Sequence, residues 1–224
     1  SAFGFQGQKC SACSRCIVID PQGPDGPNMK IFLERLGEST KTLVLGAADD
    51  PNSDVSPVID QEAANNIRKY IESARSEGLS ELVSDKDFNI PSGIDDLIAP
   101  HIFTDVNENS TIYRQEIFGP VLAVIHAKNF DEALRLANAH AYKLTGGVFT
   151  RKPEHIERTK REFRVGNLYI NRGCTGALVG RQPFGGFGMS GVGSKAGGPD
   201  YLMQFVDPRA SCENTMRRGF APEL

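Results

Sequence analysis

Val121-Leu-Ala-Val-Ile-His126 begins the stretch of sequence that decides the fold. This short apolar run predicts a buried strand. The segments after it are predicted as helix, strand, helix and strand, over residues 131–139, 147–150, 153–163 and 168–170. Strands that alternate with helices of about ten residues are typical of βαβ units. We therefore expect an α/β fold with a mostly parallel sheet, whose functional residues lie at the carboxyl ends of the strands.

The rest of the chain carries weaker signals of the same kind. Residues 15–19 predict a short buried strand, and apolar residues recur at near-helical spacing over 31–43. A firmer helix follows Asp60, which can cap its first turn, and ends at Gly78. The apolar run 201–206 follows a glycine-rich loop and predicts an edge strand, which invites pairing with another subunit.

The composition excludes several classes of protein. The 224 residues are 39% hydrophobic and 24% charged, which is ordinary for a soluble globular domain. A formal net charge of −3 argues against nucleic acid and anionic membranes as partners. No apolar run reaches the roughly 18 to 20 residues that cross a bilayer, and no signal sequence is visible. Five cysteines, three of them within seven residues, favour a reducing compartment, so we predict the cytoplasm or an equivalent matrix.

Cys10 is the candidate nucleophile. It follows glycine and glutamine residues that let the backbone approach a ligand, and small residues after it leave the sulfur accessible. The neighbouring cation of Lys9 favours the thiolate, which is the form that attacks a carbonyl carbon. The alternative is a buried cysteine that packs as a small hydrophobic residue.

A metal site is a second alternative for the cysteines. Cys10, Cys13 and Cys16 have the C-x2-C-x2-C spacing that begins a bacterial iron–sulfur motif. The fourth cysteine of that motif is missing, so a cluster would need Cys174 or Cys212 from far along the chain. The histidines lack ligand spacing and receive no role; they are His101, His126, His140 and His155.

A glycine-rich loop near the end of the chain resembles a nucleotide fingerprint without its context. Gly186-Phe-Gly188-Met-Ser-Gly191 matches G-x-G-x-x-G, but no strand leads into it and no amphipathic helix follows. Phe184 and Phe187 flank its glycines, which favours the wall of a small-molecule pocket. A plain surface loop is the alternative.

Four motifs occur in the order that is found in one enzyme superfamily. They are Phe5-Gln-Gly-Gln-Lys-Cys10-Ser-Ala, Glu116-Ile-Phe-Gly-Pro120, Gly166-Asn-Leu-Tyr-Ile-Asn171 and Pro183-Phe-Gly-Gly186. Together they cover most of the chain and resemble the C-terminal catalytic domain of the aldehyde dehydrogenase superfamily. Within that superfamily, three motifs together resemble the branch of L-glutamate-γ-semialdehyde (1-pyrroline-5-carboxylate) dehydrogenases, which oxidise that aldehyde to glutamate in proline catabolism. They are Gly-Gln-Lys-Cys10-Ser-Ala, Thr175-Gly-Ala-Leu-Val-Gly180 and Gln182-Pro-Phe-Gly-Gly186.

The resemblance implies a catalytic thiol and a cofactor. Cys10 would attack the aldehyde to give a thiohemiacetal, whose hydride passes to NAD and leaves a thioester for water to hydrolyse. The backbone N–H of Cys10 would help to hold the oxyanion. Glu116 and Phe118 would contact the nicotinamide ribose and ring of NAD.

The resemblance also implies a substrate site. The Ser11 hydroxyl and the backbone N–H groups of Gly176 and Ala177 would hold the α-carboxylate of the substrate, because such groups together bind anions. Phe184 would line the aliphatic stem of the substrate.

The domain organisation that the resemblance implies is incomplete in this sequence. Residues 1–200 would form the catalytic domain, an open sheet with helices on both faces, and 201–224 an oligomerisation strand and tail. The N-terminal dinucleotide-binding domain of the family is absent, together with its Glu-Leu-Gly-Gly general base and its oxyanion-hole asparagine. We expect an excised domain, or else a natural truncation, that does not turn over alone and whose NAD is bound mainly by the missing domain.

Several alternatives stay open. The parent protein is expected to be a homo-oligomer, with or without a fused proline dehydrogenase domain. Its substrate could be another class of aldehyde, and a non-catalytic assembly domain is the alternative from outside enzymology. The resemblance assigns no role to Cys13 or Cys16; Cys13 either forms an inactivating disulfide with Cys10, three residues away, or simply packs.

Overall fold

A computed structural model describes residues 1–215 of the chain. Its strands are β1 Arg15–Ile19, β2 Ser80–Val83, β3 His101–Thr104, β4 Val121–Ala127, β5 Tyr142–Lys143, β6 Thr145–Val148, β7 Asn167–Ile170 and β8 Phe187–Gly188. Its α-helices are α1 Pro27–Lys41, α2 Gln61–Ser76, α3 Thr111–Arg114, α4 Phe130–Asn138 and α5 Pro153–Glu162. Short 3-10 helices span Gly4–Gly7, Asp85–Asp87 and Tyr201–Phe205.

The main sheet is mostly parallel, as the alternation of strands and helices predicts. Its strand order is β1-β4-β3-β2, with β4 parallel to both of its neighbours and β2 antiparallel at the edge. Strands β6 and β7 form a separate parallel pair, and β5 and β8 an antiparallel one. The amino ends of β1 and β4 are held in register by Arg15 opposite Ala123, which places the segment that precedes β1 beside the segment that precedes β4.

Helices cover both faces of the main sheet. Alternate residues of β4, Ala123 and Ile125 among them, pack into a core with α2 and α4. The residues between them, Leu122 and Val124, pack into a second core with Met29 and its neighbours on α1. Each fully buried aliphatic side chain contributes about 1.5 to 3 kcal/mol. Because both faces of β4 are buried, neither face carries the polar residues that a solvent-exposed face would have, which explains its nearly continuous apolar sequence.

The helices begin where side chains accept the free N–H groups of a first turn. Asp60 caps α2 by accepting a hydrogen bond of 2.8 Å from the N–H of Ala63, as predicted. Helix α1 begins earlier than its apolar pattern indicates, because the buried carboxylate of Asp20 accepts hydrogen bonds from the N–H groups of Asn28 and Met29 at 2.8 and 3.0 Å. Burial alone would raise the pKa of Asp20, but these bonds outweigh it and hold the pKa below its ordinary value.

The predicted edge strand at 201–206 is wrong. Tyr201–Phe205 is a 3-10 helix, in which Tyr201 donates its N–H to the carbonyl oxygen of Gly198 at 3.2 Å. These local hydrogen bonds take the place of pairing with another strand, and an unbroken apolar run cannot tell the two conformations apart. Residues 216–224 of the predicted tail lie outside the described residues. No helix within residues 1–215 is long and apolar enough to cross a membrane.

Candidate active site

Cys10 lies in a tight turn that presents its side chain to solvent. The N–H of Ala12 donates to the carbonyl oxygen of Lys9 at 2.8 Å, so Cys10 and Ser11 occupy the two central positions of the turn. The Cys10 residue is exposed, whereas Ser11 is buried, with 4% of its surface exposed. The thiol is therefore free to meet a substrate, which excludes the alternative of a buried packing residue for Cys10.

A strained segment leads into the turn. Phe5, Gln6 and Gly7 have positive φ angles of 59°, 55° and 66°. The left-handed region costs about 1 to 3 kcal/mol for a non-glycine residue and persists only where the surrounding structure enforces it. Here the enforcement comes from Gly7, whose backbone packs directly on the carbonyl group of Gly119.

The predicted cofactor residues share one cavity with Cys10. Glu116 and Phe118 follow α3 on an exposed loop, and Phe118 has a positive φ of 56°. These two residues and Cys10 line a cavity of about 370 Å³. A thiol, a free carboxylate and an aromatic ring thus face a common space, in agreement with the resemblance. The three residues precede β1 and β4, so they lie at the amino ends of these strands and not at the predicted carboxyl ends.

The predicted substrate residues lie outside the lining of that cavity, on its neighbouring loops. The thiol of Cys174 donates to the carbonyl oxygen of Ser11 at 3.4 Å, and its N–H donates to the hydroxyl of Ser1 at 3.3 Å. These contacts hold the loop that carries Gly176 and Ala177 against the nucleophile turn. Within the described part of the chain, neither the Gly176 nor the Ala177 N–H donates a hydrogen bond.

Phe184 belongs to a loop that is fastened to the parallel pair β6–β7. It exchanges two backbone hydrogen bonds with Ala196, at 2.8 and 2.9 Å. The side chain of Asn167 on β7 donates to the carbonyl oxygen of Pro183 and accepts from the N–H of Gly185, at 2.8 and 3.1 Å. The structure therefore fixes the position of Phe184, but does not bring its half-buried side chain to the wall of the Cys10 cavity.

The glycine-rich loop does not have the strand-to-helix form of a nucleotide fingerprint. Its residues Phe187–Gly188 form β8, which pairs with β5, and the N–H of Gly186 donates to the carbonyl oxygen of Ser190 at 3.2 Å. Residues 189–200 after it contain turns and no helix.

Cys13 and Cys16 pack against the core on the α1 face of the sheet. Burial raises the pKa of the Cys13 thiol to about 11 and that of Cys16 to about 12, so both are protonated at neutral pH. All five cysteines are free thiols, which contradicts a disulfide between Cys10 and Cys13. Among the described residues, no three histidine, cysteine or acidic side chains are arranged to hold a metal ion.

Comparison with known proteins adds to this geometry. The profile of the aldehyde dehydrogenase family matches residues 1–210. The chain belongs to that family. A 1-pyrroline-5-carboxylate dehydrogenase of Geobacillus sp. (strain WCH70) is 48% identical over 213 residues, which are 95% of this chain and 39% of that protein. The chain thus spans about two fifths of the length of the curated relatives it matches.

Solved structures of aldehyde dehydrogenase family members have the same fold. Proline utilization A (PutA) from Bdellovibrio bacteriovorus, inactivated by N-propargylglycine, has a TM-score of 0.88 and 49% identity, and the match covers 100% of this chain and 22% of that one. The 1-pyrroline-5-carboxylate dehydrogenase from Thermus with bound NAD has a TM-score of 0.82 and 46% identity, over 92% of this chain and 38% of that one. These likenesses agree with the observed mostly parallel sheet.

Three further residues of this aldehyde dehydrogenase cavity were not predicted from the sequence: Arg15, Tyr113 and His140. The guanidinium of Arg15 lies over the ring of Tyr113, with its Cζ 5.2 Å from the ring centroid, and burial lowers the pKa of Arg15 from its usual value. The edge of His140 packs on the same ring, with centroids 6.5 Å apart. No motif signals this cluster, because its members lie far apart in the sequence, on β1, on α3 and after α4, and meet only in the folded chain.

Proposed function

We propose that this chain is the catalytic-cysteine domain of an NAD-dependent dehydrogenase that oxidises L-glutamate γ-semialdehyde, formed from 1-pyrroline-5-carboxylate, to L-glutamate. The observation that carries the proposal is the common cavity of Cys10, Glu116 and Phe118. An accessible thiol is required for attack on an aldehyde, and the other two residues suit a nucleotide. The substrate is taken from relatives at 46 to 49% identity whose names specify 1-pyrroline-5-carboxylate or proline.

The residues of the cavity fit NAD. The exposed carboxylate of Glu116 can accept hydrogen bonds from both hydroxyls of the nicotinamide ribose, and the Phe118 ring, which is 42% exposed, offers an apolar surface to the nicotinamide. When bound, NAD supplies the acceptor for the hydride. The larger part of its binding site, including the region that chooses NAD over NADP, would be contributed by the rest of the protein.

Cys10 would carry the covalent chemistry. Its thiolate forms a C–S bond to the aldehyde carbon, and the carbonyl oxygen becomes an oxyanion that the Cys10 N–H helps to hold. Departure of the hydride from that carbon leaves a thioester on Cys10. Water then breaks the C–S bond, which releases the carboxylate of glutamate and restores the thiol. The base that activates this water is not among the residues of this chain that we assign.

The proposed substrate site would bind the α-carboxylate of the substrate. The loop of Gly176 and Ala177 is joined to Ser11 through Cys174, and the N–H groups of these two residues donate no hydrogen bond in the described structure. Gly176 has a φ of +89°, which turns the backbone in a way that only glycine adopts without strain. Two N–H groups and a hydroxyl form an anion site, and Phe184 would contact the aliphatic stem.

The organisation of the whole protein belongs to the same proposal. Residues 1–200 would act as the catalytic domain and 201–224 in assembly of a homo-oligomer, although not through the predicted strand. Fusion to a proline dehydrogenase domain stays an alternative, since one structural neighbour is a proline utilization A protein. The cytoplasmic location stays a prediction.

The experiment uses the full-length protein and measures NADH formation at fixed NAD with glutamate semialdehyde and with propanal. We expect strong preference for the semialdehyde, abolition of activity by Cys10→Ala, and full activity in Cys212→Ala, which removes an exposed thiol far along the chain. Equal rates with the two aldehydes would overturn the substrate assignment. Absence of NADH with either would overturn the enzymatic function and favour a non-catalytic assembly domain.

A further inference from the structure

The segment around Cys10 contacts the segment around Glu116 at two points. Before the nucleophile, the backbone of Gly7 packs on that of Gly119. After the nucleophile, the guanidinium of Arg15 lies 5.2 Å from the centroid of the Tyr113 ring. Cys10 and Glu116 lie between these two contacts, each on its own segment.

The Arg15 contact is formed in the lining of the cavity, where Arg15 is half-buried. Its Nη1 is buried and has no hydrogen-bond partner in the described residues, and no carboxylate there lies within ion-pair distance of the guanidinium. A half-buried cation without a carboxylate partner gains stabilisation from the face of an aromatic ring. The contact with Tyr113 is therefore the interaction that compensates the burial of Arg15.

Tyr113 connects Arg15 to Glu116 and Phe118, the two residues proposed to contact the cofactor. Only 4% of its surface is exposed, and its hydroxyl donates to the carbonyl oxygen of Leu136 at 2.9 Å, at the end of α4. Glu116 follows it by three residues and Phe118 by five. A shift of the ring would move both of them relative to Cys10.

We propose that Arg15 is a positioning residue for the cofactor: by stacking on Tyr113 it fixes Glu116 and Phe118 at the distance from Cys10 at which the nicotinamide meets the substrate carbon. The proposal rests on the function proposed above. The aldehyde site is held by different contacts, those of Cys174 with Ser11 and Ser1, so loss of Arg15 affects the cofactor more than the aldehyde.

The test measures NAD binding by calorimetry and steady-state kinetics in the full-length protein. Arg15→Met keeps the apolar stem and removes the cation; we expect the Kd and KM for NAD to rise about tenfold, with the KM for the semialdehyde changed less than about twofold. Arg15→Lys, which keeps a cation over the ring, should recover most of the affinity. Tyr113→Leu should reproduce the loss, and the double variant Arg15→Met/Tyr113→Leu should be no worse than either single variant, because both remove the same contact.

A matched control is available elsewhere in the chain. Arg158 lies over the ring of Phe130 at the same 5.2 Å, on α5 and α4 and outside the lining of the cavity. Arg158→Met should lower stability without changing the Kd for NAD. Equal changes in the constants for NAD and for the semialdehyde, additive effects in the double variant, or the same NAD defect in Arg158→Met would overturn the positioning role. A wild-type protein that binds no NAD would instead remove the proposed function itself.

Discussion

Gly7 and Gly119 are in backbone contact, and a Cβ atom added to Gly7 would overlap the carbonyl oxygen of Gly119. On its other side Gly119 packs on Ile67 of α2, whose Cδ1 would lie 2.6 Å from an added Cβ. The nucleophile segment, the cofactor segment and the core helix are therefore stacked with no side chain between the first two. This stacking fixes Cys10 relative to Glu116 through backbone alone.

Gly7→Ala should be strongly destabilising. The added methyl group overlaps Gly119, and the φ of +66° is itself unfavourable for alanine, so we expect a loss of about 2 to 4 kcal/mol in the free energy of unfolding. Denaturant unfolding measures it. Gly4→Ala is the matched control in the same segment, because nothing lies within 4 Å of its added Cβ, and it should change stability by less than about 0.5 kcal/mol. Similar losses in the two variants would contradict the tight contact.

Thiol labelling should separate the cysteines by burial. We expect iodoacetamide at pH 8 to modify Cys10 and Cys212, which are exposed, much faster than Cys13 and Cys16. Burial hides the latter two from the reagent and raises the pKa of each, so their thiolate fraction is very small. Mass spectrometry of peptides gives the order of modification. Rapid labelling of Cys16 in folded protein would show that the core on the α1 side is open.

The same two thiols predict a loss of stability at high pH. Their pKa values are about 11 and about 12 in the folded chain against an ordinary 9.0, so the folded state binds more protons above pH 9. The free energy of unfolding should therefore fall as the pH rises from 9 through 11. Burial also raises the pKa of Tyr113, which adds to the slope. The slope should be shallower in Cys13→Ala and Cys16→Ala and unchanged in Cys212→Ala; equal slopes in all of these would exclude the buried thiols as its cause.

Local patterns were sufficient to predict the helices α4 and α5. Helix α4 is observed at Phe130–Asn138 against the predicted 131–139, and α5 at Pro153–Glu162 against 153–163. Caps and apolar stripes of helices are encoded within a few residues, and the residues of such a helix need no distant partner to be recognised.

Strands β2 and β3 were not predicted, because their sequences carry no strand pattern of their own. His101–Thr104 has four residues without alternation, and it is a strand because β4 pairs with it. Ser80–Val83 is a strand in turn because it pairs with β3. The opposite error occurred at Tyr201–Phe205, which was predicted as a strand and is a 3-10 helix. This apolar run has no partner strand and forms local hydrogen bonds instead.

The candidate site also has a part that could be predicted from the sequence and a part that could not. The convergence of Cys10, Glu116 and Phe118 could be predicted, because each lies in a motif that resembles the aldehyde dehydrogenase family and the resemblance implies one site. The Arg15–Tyr113 contact could not be predicted, because neither residue is marked by a motif of its own and the two lie far apart in the sequence, on β1 and α3.

The last prediction concerns the choice of aldehyde. The hydroxyl of Ser11 is proposed to donate to the α-carboxylate of the substrate, whereas its carbonyl oxygen, which Cys174 contacts, belongs to the backbone and survives substitution. Ser11→Ala should therefore raise the KM for glutamate semialdehyde about tenfold, the size of one hydrogen bond to a charged group, with little change for propanal, which has no carboxylate. Ser39→Ala on the exposed side of α1 is the matched control and should leave both constants unchanged. A rise for both aldehydes in Ser11→Ala would mean that Ser11 supports the nucleophile turn rather than the carboxylate.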